Sequence, residues 1–130
     1  MLTKEVTYET FDGETVTDKI YFNLSKADLI ELMYSKDPKK GLDEYLKEMM
    51  AAERVGDMME QYRDIILTAY GVRSDDGKRF IKTFDLREEF SQSLAFDALY
   101  YELLTKPDEA AAFIVGIMPK DMQGEVQKAL

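Results

Sequence analysis

TKEVTYETFDGETVTDKIYFNLSKADLIEL, residues 3–32, changes its character once, and that change decides the fold class. Before Asn23 the pattern is that of strands. Val6, Tyr8 and Thr10 alternate with Thr and Glu, and Val16, Ile20, Tyr21 and Phe22 follow the Asp12-Gly13 pair. A period of two marks a strand with one buried face. Asp-Gly favours a tight turn because glycine accepts positive φ without a side-chain clash. The two arms are expected to pair as an antiparallel hairpin. A lone hairpin is marginal in water, so this one must pack on helices or on a partner's sheet edge.

From Leu24 onward the signals are helical. Ser25 stands as N-cap with Asp28 at the third helical position, a variant of the capping box. Leu24 and Leu29 have the spacing of a hydrophobic staple. Leu29, Ile30, Leu32 and Met33 then supply an apolar face for a short helix ending near Ser35.

After Asp37-Pro38, a stripe of Leu42, Tyr45, Leu46, Met49 and Met50 predicts a second helix. A further stripe, Met58, Met59, Tyr62, Ile65, Ile66 and Ala69, runs to Tyr70 beyond the Gly56-Asp57 pair, with Gly71 expected as its C-cap. Residues 71–84 read as the main irregular segment, turning at Ser74-Asp75-Asp76-Gly77 and tied back by Phe80 and Ile81. Asp85, with Glu88 three positions on, is the expected next N-cap. A stronger helix after Ser93 carries Leu94, Phe96, Leu99, Tyr100, Leu103 and Leu104. Pro107 opens another, with Ala110, Phe113, Ile114 and Ile117 on its apolar side, Gly116 for close packing, and Pro119 as its stop. Met122, Val126 and Leu130 have the spacing of a docked terminal helix. The expected fold is mainly α with an N-terminal β-hairpin (α+β), a compact bundle of five or six helices. It is read as one domain over residues 1–130, with the hairpin at 1–23 and a helical body at 24–130.

Composition narrows the function. The 130 residues contain eight Met, eight Tyr and seven Phe, but no His, Cys or Trp, and the net charge is -9. Disulfides, His-dependent triads and Cys/His zinc sites are therefore excluded. The acidic balance disfavours nucleic acid, which draws on a positive surface. The local basic groups, Lys36, Lys39 and Lys40 or Arg73, Lys78, Arg79 and Lys82, belong to no recognisable nucleic-acid module. No run approaches the roughly 18 apolar residues of a membrane span. The charged N-terminus lacks the continuous apolar region of a signal peptide, so the expected setting is cytoplasmic.

The carboxylate groups Asp75-Asp76, Asp85 with Glu88-Glu89, and Asp108-Glu109 suit turns and helix starts better than metal or acid–base chemistry. No cofactor, metal or catalytic residue is expected. The methionines admit two readings, gap-filling in an ordinary core or an adaptable groove for an apolar segment. Met49 with Met50 and Met58 with Met59 favour the groove, since both members of an adjacent pair cannot point to the centre of one narrow helix face. The first candidate partner-binding face is Tyr45, Met49, Met50, Met58, Met59 and Tyr62. A second comprises Phe96, Tyr100, Tyr101 and Phe113.

The block YGVRSDDGKRFIKTFDLREEFSQSLAFDALYYELLTKPDEAAAFIVGIMP, residues 70–119, resembles tail assembly chaperones of long-tailed bacteriophages and prophages, as does YFNLSKADLIEL at residues 21–32. The parts that carry the resemblance are YG before a Ser-Asp-Asp-Gly turn, RFIK, LREEF, and an aromatic and acidic helix ending near Pro119. The likeness covers nearly the whole chain. It implies a non-enzymatic protein of the bacterial host cytoplasm, absent from the mature virion. Such a protein binds the largely helical tape-measure protein, limits its aggregation and assists tail tube assembly. In many relatives a frameshift-extended form recruits tube protein, and this chain would correspond to the shorter form. The alternative is a structural adaptor retained in the tail. Self-association into a homo-oligomer, through the hairpin edge or a Met-rich face, is a further expectation from the residues.

Overall fold

The computed structural model describes residues 1–36, 41, 44, 47 and 55–129, with side chains for all of these except 33–36, 55–58, 125 and 129. The predicted stripe at Leu42, Tyr45, Leu46, Met49 and Met50 lies outside the described residues.

Strands β1 (Leu2–Glu9) and β2 (Thr15–Phe22) form the expected antiparallel hairpin, in register from Leu2↔Phe22 to Glu9↔Thr15. Its loop closes where Thr10 N–H donates to the Glu14 carbonyl at 2.7 Å and Gly13 N–H to the Thr10 carbonyl at 2.9 Å. Gly13 takes φ +88 there, a conformation that a side chain would strain. Leu2, Lys4, Val6 and Tyr8 share one face with Val16, Asp18, Ile20 and Phe22. On that face Val6, Ile20 and Phe22 are buried. The Lys4 ammonium sits 3.4 Å from Glu102 and 3.3 Å from Glu109, so the polar member of the inward row ties the hairpin to two later helices.

Helix α1 (Lys26–Lys36) begins with the capping box read from the sequence. Asp28 N–H donates to Ser25 Oγ and Ser25 N–H donates to the Asp28 carboxylate, each at 3.0 Å. Leu24 and Leu29, the staple pair, are both buried. The link into α1 also satisfies two helix ends. Asn23 N–H donates to the Ala69 carbonyl and Leu24 N–H to the Ile117 carbonyl, both at 2.8 Å, partnering acceptors a helix C-terminus leaves open.

Helix α2 (Val55–Ala69) leads directly into β3 (Tyr70–Arg73), which turns back into β4 (Phe80–Ile81). Two expectations are corrected here. Gly71 is not a left-handed C-cap: it lies in β3 opposite Tyr21. A Cβ on Gly71 would stand 2.6 Å from the Phe80 ring and 2.9 Å from the Ile81 carbonyl oxygen, so close strand packing is what requires glycine. Residues 71–84 are likewise more ordered than expected, because β3 and β4 extend the hairpin into a four-stranded sheet of order β1-β2-β3-β4. The Ser74–Gly77 turn is present. Ser74, itself buried, donates to Asp76 at 2.6 Å and accepts from Arg79 N–H at 3.0 Å.

Helix α3 (Phe84–Ser91) starts two residues earlier than read. Thr83, not Asp85, is the N-cap, its hydroxyl accepting from Leu86 N–H. Asp85 instead sits in the first turn, where it favours the helix dipole. The stronger helix expected after Ser93 is α4 (Leu94–Thr105), capped by the Ser93 hydroxyl; Pro107 opens α5 (Pro107–Ile117) as expected, and a short 3₁₀ turn at Lys120–Met122 precedes α6 (Gln123–Ala129). The arrangement is mainly helical with an N-terminal hairpin, with six α-helices among the described residues. On α5, a Cβ at Gly116 would meet Leu2 of β1 at 3.0 Å, the close packing expected of that glycine.

Strand and helix residues share one hydrophobic cluster, from Val6, Ile20 and Phe22 through Ile65, Ile66, Leu99, Leu103 and Ile114 to Val126. An aromatic chain runs through it. Phe22 meets Phe113 edge-on at 5.1 Å and Phe90 at 5.9 Å. Phe90 meets Phe96 at 5.4 Å, and Phe96 stacks on Tyr100 at 5.3 Å. Each such pair adds about 0.5–1.5 kcal/mol to ordinary area burial.

Candidate partner-binding surface

One member of each face read from the sequence, Met59 and Tyr100, meets the other at the junction of α2 and α4. Of the first face, Tyr45, Met49 and Met50 lie outside the described residues, and Met58 is placed on α2 by its backbone alone. Met59 is 38% exposed at the N-terminal end of α2, whereas Tyr62, one turn further on, is buried. Of the second face, Phe96 and Phe113 are buried and belong to the aromatic chain. Tyr100 is half-buried on the outer side of Phe96, and Tyr101 is 70% exposed.

Adjacent positions on α4 thus diverge, since a helix turns by about 100° per residue. Tyr100 faces α2 and donates its hydroxyl to the Met59 carbonyl at 2.8 Å. Tyr101 faces outward. The Arg63 guanidinium lies 5.1 Å above the Phe96 ring and covers the same junction. Phe113 sits apart from this group, against Phe22 at the centre of the cluster.

Burial pushes the Tyr62 phenol above its usual range. Burial also raises Tyr100, helped by Asp64 and opposed by Arg63. Both phenols therefore stay protonated near neutral pH, and that of Tyr100 serves as a hydrogen-bond donor to α2. Among the described residues no group of three or more His, Cys, Asp or Glu side chains is arranged to hold a metal ion. Two of the carboxylates singled out in the sequence have side-chain partners: Asp76 accepts from Ser74 and Lys78 N–H within its turn, and Glu109 meets Lys4 of β1. Ser25 is occupied by capping, and its neighbour Lys26 pairs with Asp121 at 2.6 Å.

A cleft of about 470 Å³ escaped the sequence reading. It opens between β2, β3 and the α3–α4 junction, with Asp18, Ile20, Tyr70, Val72, Glu89 and Phe90 on its walls. Its members come from five separate elements, so no local spacing announces it. Tyr70 stacks on Phe90 at 4.0 Å within it. The Tyr70 phenol is raised by burial and then by the nearby Glu89 charge, and that of Tyr8, also on the cleft, by its hydrogen bond to Asp18.

Among the described residues no helix is long and apolar enough to cross a membrane. Comparisons with curated proteins and with solved structures gave no significant match. Residues 1–129 match the family described as phage tail assembly chaperone, which agrees with the resemblance carried by residues 21–32 and 70–119 and is consistent with a non-enzymatic protein. The chain belongs to the phage tail assembly chaperone family.

Proposed function

We propose that this protein binds the tape-measure protein in the host cytoplasm, limits its aggregation and assists assembly of the tail tube, without remaining in the mature tail. Family membership carries the reading, because it implies interaction with tail-assembly components. The α2–α4 junction supports it. Met59 and Tyr101 offer exposed apolar area beside a helix pair held together by Tyr100. Met adapts to irregular apolar surfaces, and Tyr contributes area at little rotamer cost. Tyr45, Met49, Met50 and Met58 are proposed to contact the same partner segment. Tyr62 and Phe96 act from beneath the exposed pair by fixing its shape, and Phe113 contributes through the core. The net charge of -9 keeps the chaperone soluble and suits basic segments of the partner.

Co-expression with the tape-measure protein tests the proposal. The expected result is a soluble complex recovered from cells in which the tape-measure protein alone aggregates. Unchanged tape-measure solubility would sink it. Mass spectrometry of purified tails tests the second half: stoichiometric retention would instead make the protein a structural adaptor.

A further inference from the structure

The sheet divides behind β2. β2 pairs with β3 only at Tyr21↔Gly71 and Phe22↔Tyr70, after which β3 leaves to pair with β4 through Val72↔Ile81 and Arg73↔Phe80. From Thr15 to Ile20, β2 therefore has a ladder partner on one side alone among the described residues. The bonding phase of that strand follows from its turn. Thr10 and Glu14 are a bonded pair, and bonded and non-bonded pairs alternate along an antiparallel ladder. Tyr8↔Val16, Val6↔Asp18 and Lys4↔Ile20 are then the next bonded pairs, so Thr17 and Lys19 turn their N–H and C=O groups away from β1. Both residues are exposed.

The cleft described above lies along this same edge. Ile20 and Asp18, two residues apart on the inward face of β2, form one wall, and Phe90 and Tyr70 form its apolar floor. The polar rim is acidic on both sides. Asp18, which accepts from the Tyr8 hydroxyl, stands on β2, and Glu89 stands on α3. The backbone edge selects an extended chain, the floor an apolar side chain and the two carboxylates a cation.

We infer that the edge of β2 left unpaired among the described residues accepts an extended peptide segment as an added antiparallel strand, with an apolar residue opposite Ile20 and Lys or Arg two positions later opposite Asp18. The spacing follows from the period of two, which puts alternate side chains of the added strand into the cleft while the residue between them bonds to Lys19. Antiparallel direction continues the line that β3 abandons after Gly71. Opposite charges facing each other across strands then set the register. The inference reaches beyond the chaperone reading. A peptide can bind here whether or not co-expression rescues the tape-measure protein, so each idea can fail alone.

The test uses the full chain and a fluorescein-labelled, Thr- and Val-rich decapeptide carrying one apolar-x-Lys unit, followed by fluorescence anisotropy. Saturable binding is expected. Methylating the peptide amide that meets the Lys19 carbonyl should weaken it by roughly tenfold, because a strand bond is lost and the edge is blocked. Changing the peptide Lys to Glu, or Glu89→Lys in the protein, should weaken it by a similar factor. Glu89 is exposed, so circular dichroism should show that variant folded. Equal binding of the methylated peptide would overturn strand addition, and equal binding of the acidic peptide would overturn the charge assignment. Concentration-dependent sedimentation abolished by Glu89→Lys, without peptide binding, would show that a second copy closes the edge and would also overturn the proposal.

Discussion

The Tyr100 hydroxyl donates to the Met59 carbonyl across 2.8 Å while its ring stacks on Phe96. One side chain thus fastens the start of α2 to the middle of α4 and sets the distance between two exposed apolar groups, Met59 and Tyr101. Tyr100→Phe keeps the stack and removes the bond. It is expected to lower stability by about 0.5–1.5 kcal/mol, measured by urea denaturation.

Tyr101→Ala separates binding from folding. Tyr101 is largely exposed and has no place in the aromatic chain, so unfolding stability should change by no more than about 0.5 kcal/mol. Under the proposed function the same variant should lower recovery of the tape-measure protein in co-expression. Loss of stability beyond that range would mean that the side chain supports the fold instead.

Phe22 is fully buried and meets Phe113, Phe90 and Tyr70 edge-on. Phe22→Ala should cost about 3–5 kcal/mol through lost burial and the cavity left behind. Because strand and helix residues share one cluster, we propose that residues 1–130 unfold as one domain. Far-UV circular dichroism and tyrosine fluorescence should then give coincident transitions for the wild-type protein.

Gly71→Ala tests close packing between strands. The new methyl would run into the Phe80 ring and the Ile81 carbonyl, and the carbonyl cannot swing aside as a side-chain tip can. A destabilisation of about 1–3 kcal/mol is expected. Amide exchange should locate it in β3 and β4.

Asp28 makes acid stability depend on Lys82. Burial alone would raise its carboxyl, but the Lys82 ammonium at 2.8 Å and the Ser25 N–H outweigh burial and hold it below the usual carboxylate range. A depressed folded pKa means the unfolded chain takes up the proton first. The contribution is complete above the unfolded value of about 3.9 and disappears as pH falls through the lower folded value. Lys82→Met should flatten that part of the stability profile, read from urea midpoints across acid pH. An unchanged slope would remove Asp28 from the account.

Features made by near neighbours were open to reading without a structure. The Ser25–Asp28 capping box, the Ser93 cap, Pro107 at a helix start and the Gly13 turn each need only a few consecutive residues, so composition and spacing determine them. The change from alternating to helical periodicity likewise settled a hairpin followed by helices. Gly71 shows where local reading stops. The residue suits a helix cap, yet Tyr21, Phe80 and Ile81 make it a strand residue, and they are brought to it by the sheet. The same holds for the candidate surface. Tyr100 and Tyr101 are adjacent aromatics with like chemistry, and only the neighbouring helix decides that one faces α2 and the other faces out. Burial and sheet pairing depend on what packs from elsewhere in the chain, which the tertiary structure alone decides. That is why Phe96 and Phe113 could be read as part of a candidate binding face although both are buried, and why the edge of β2 left unpaired among the described residues came to light only with the fold.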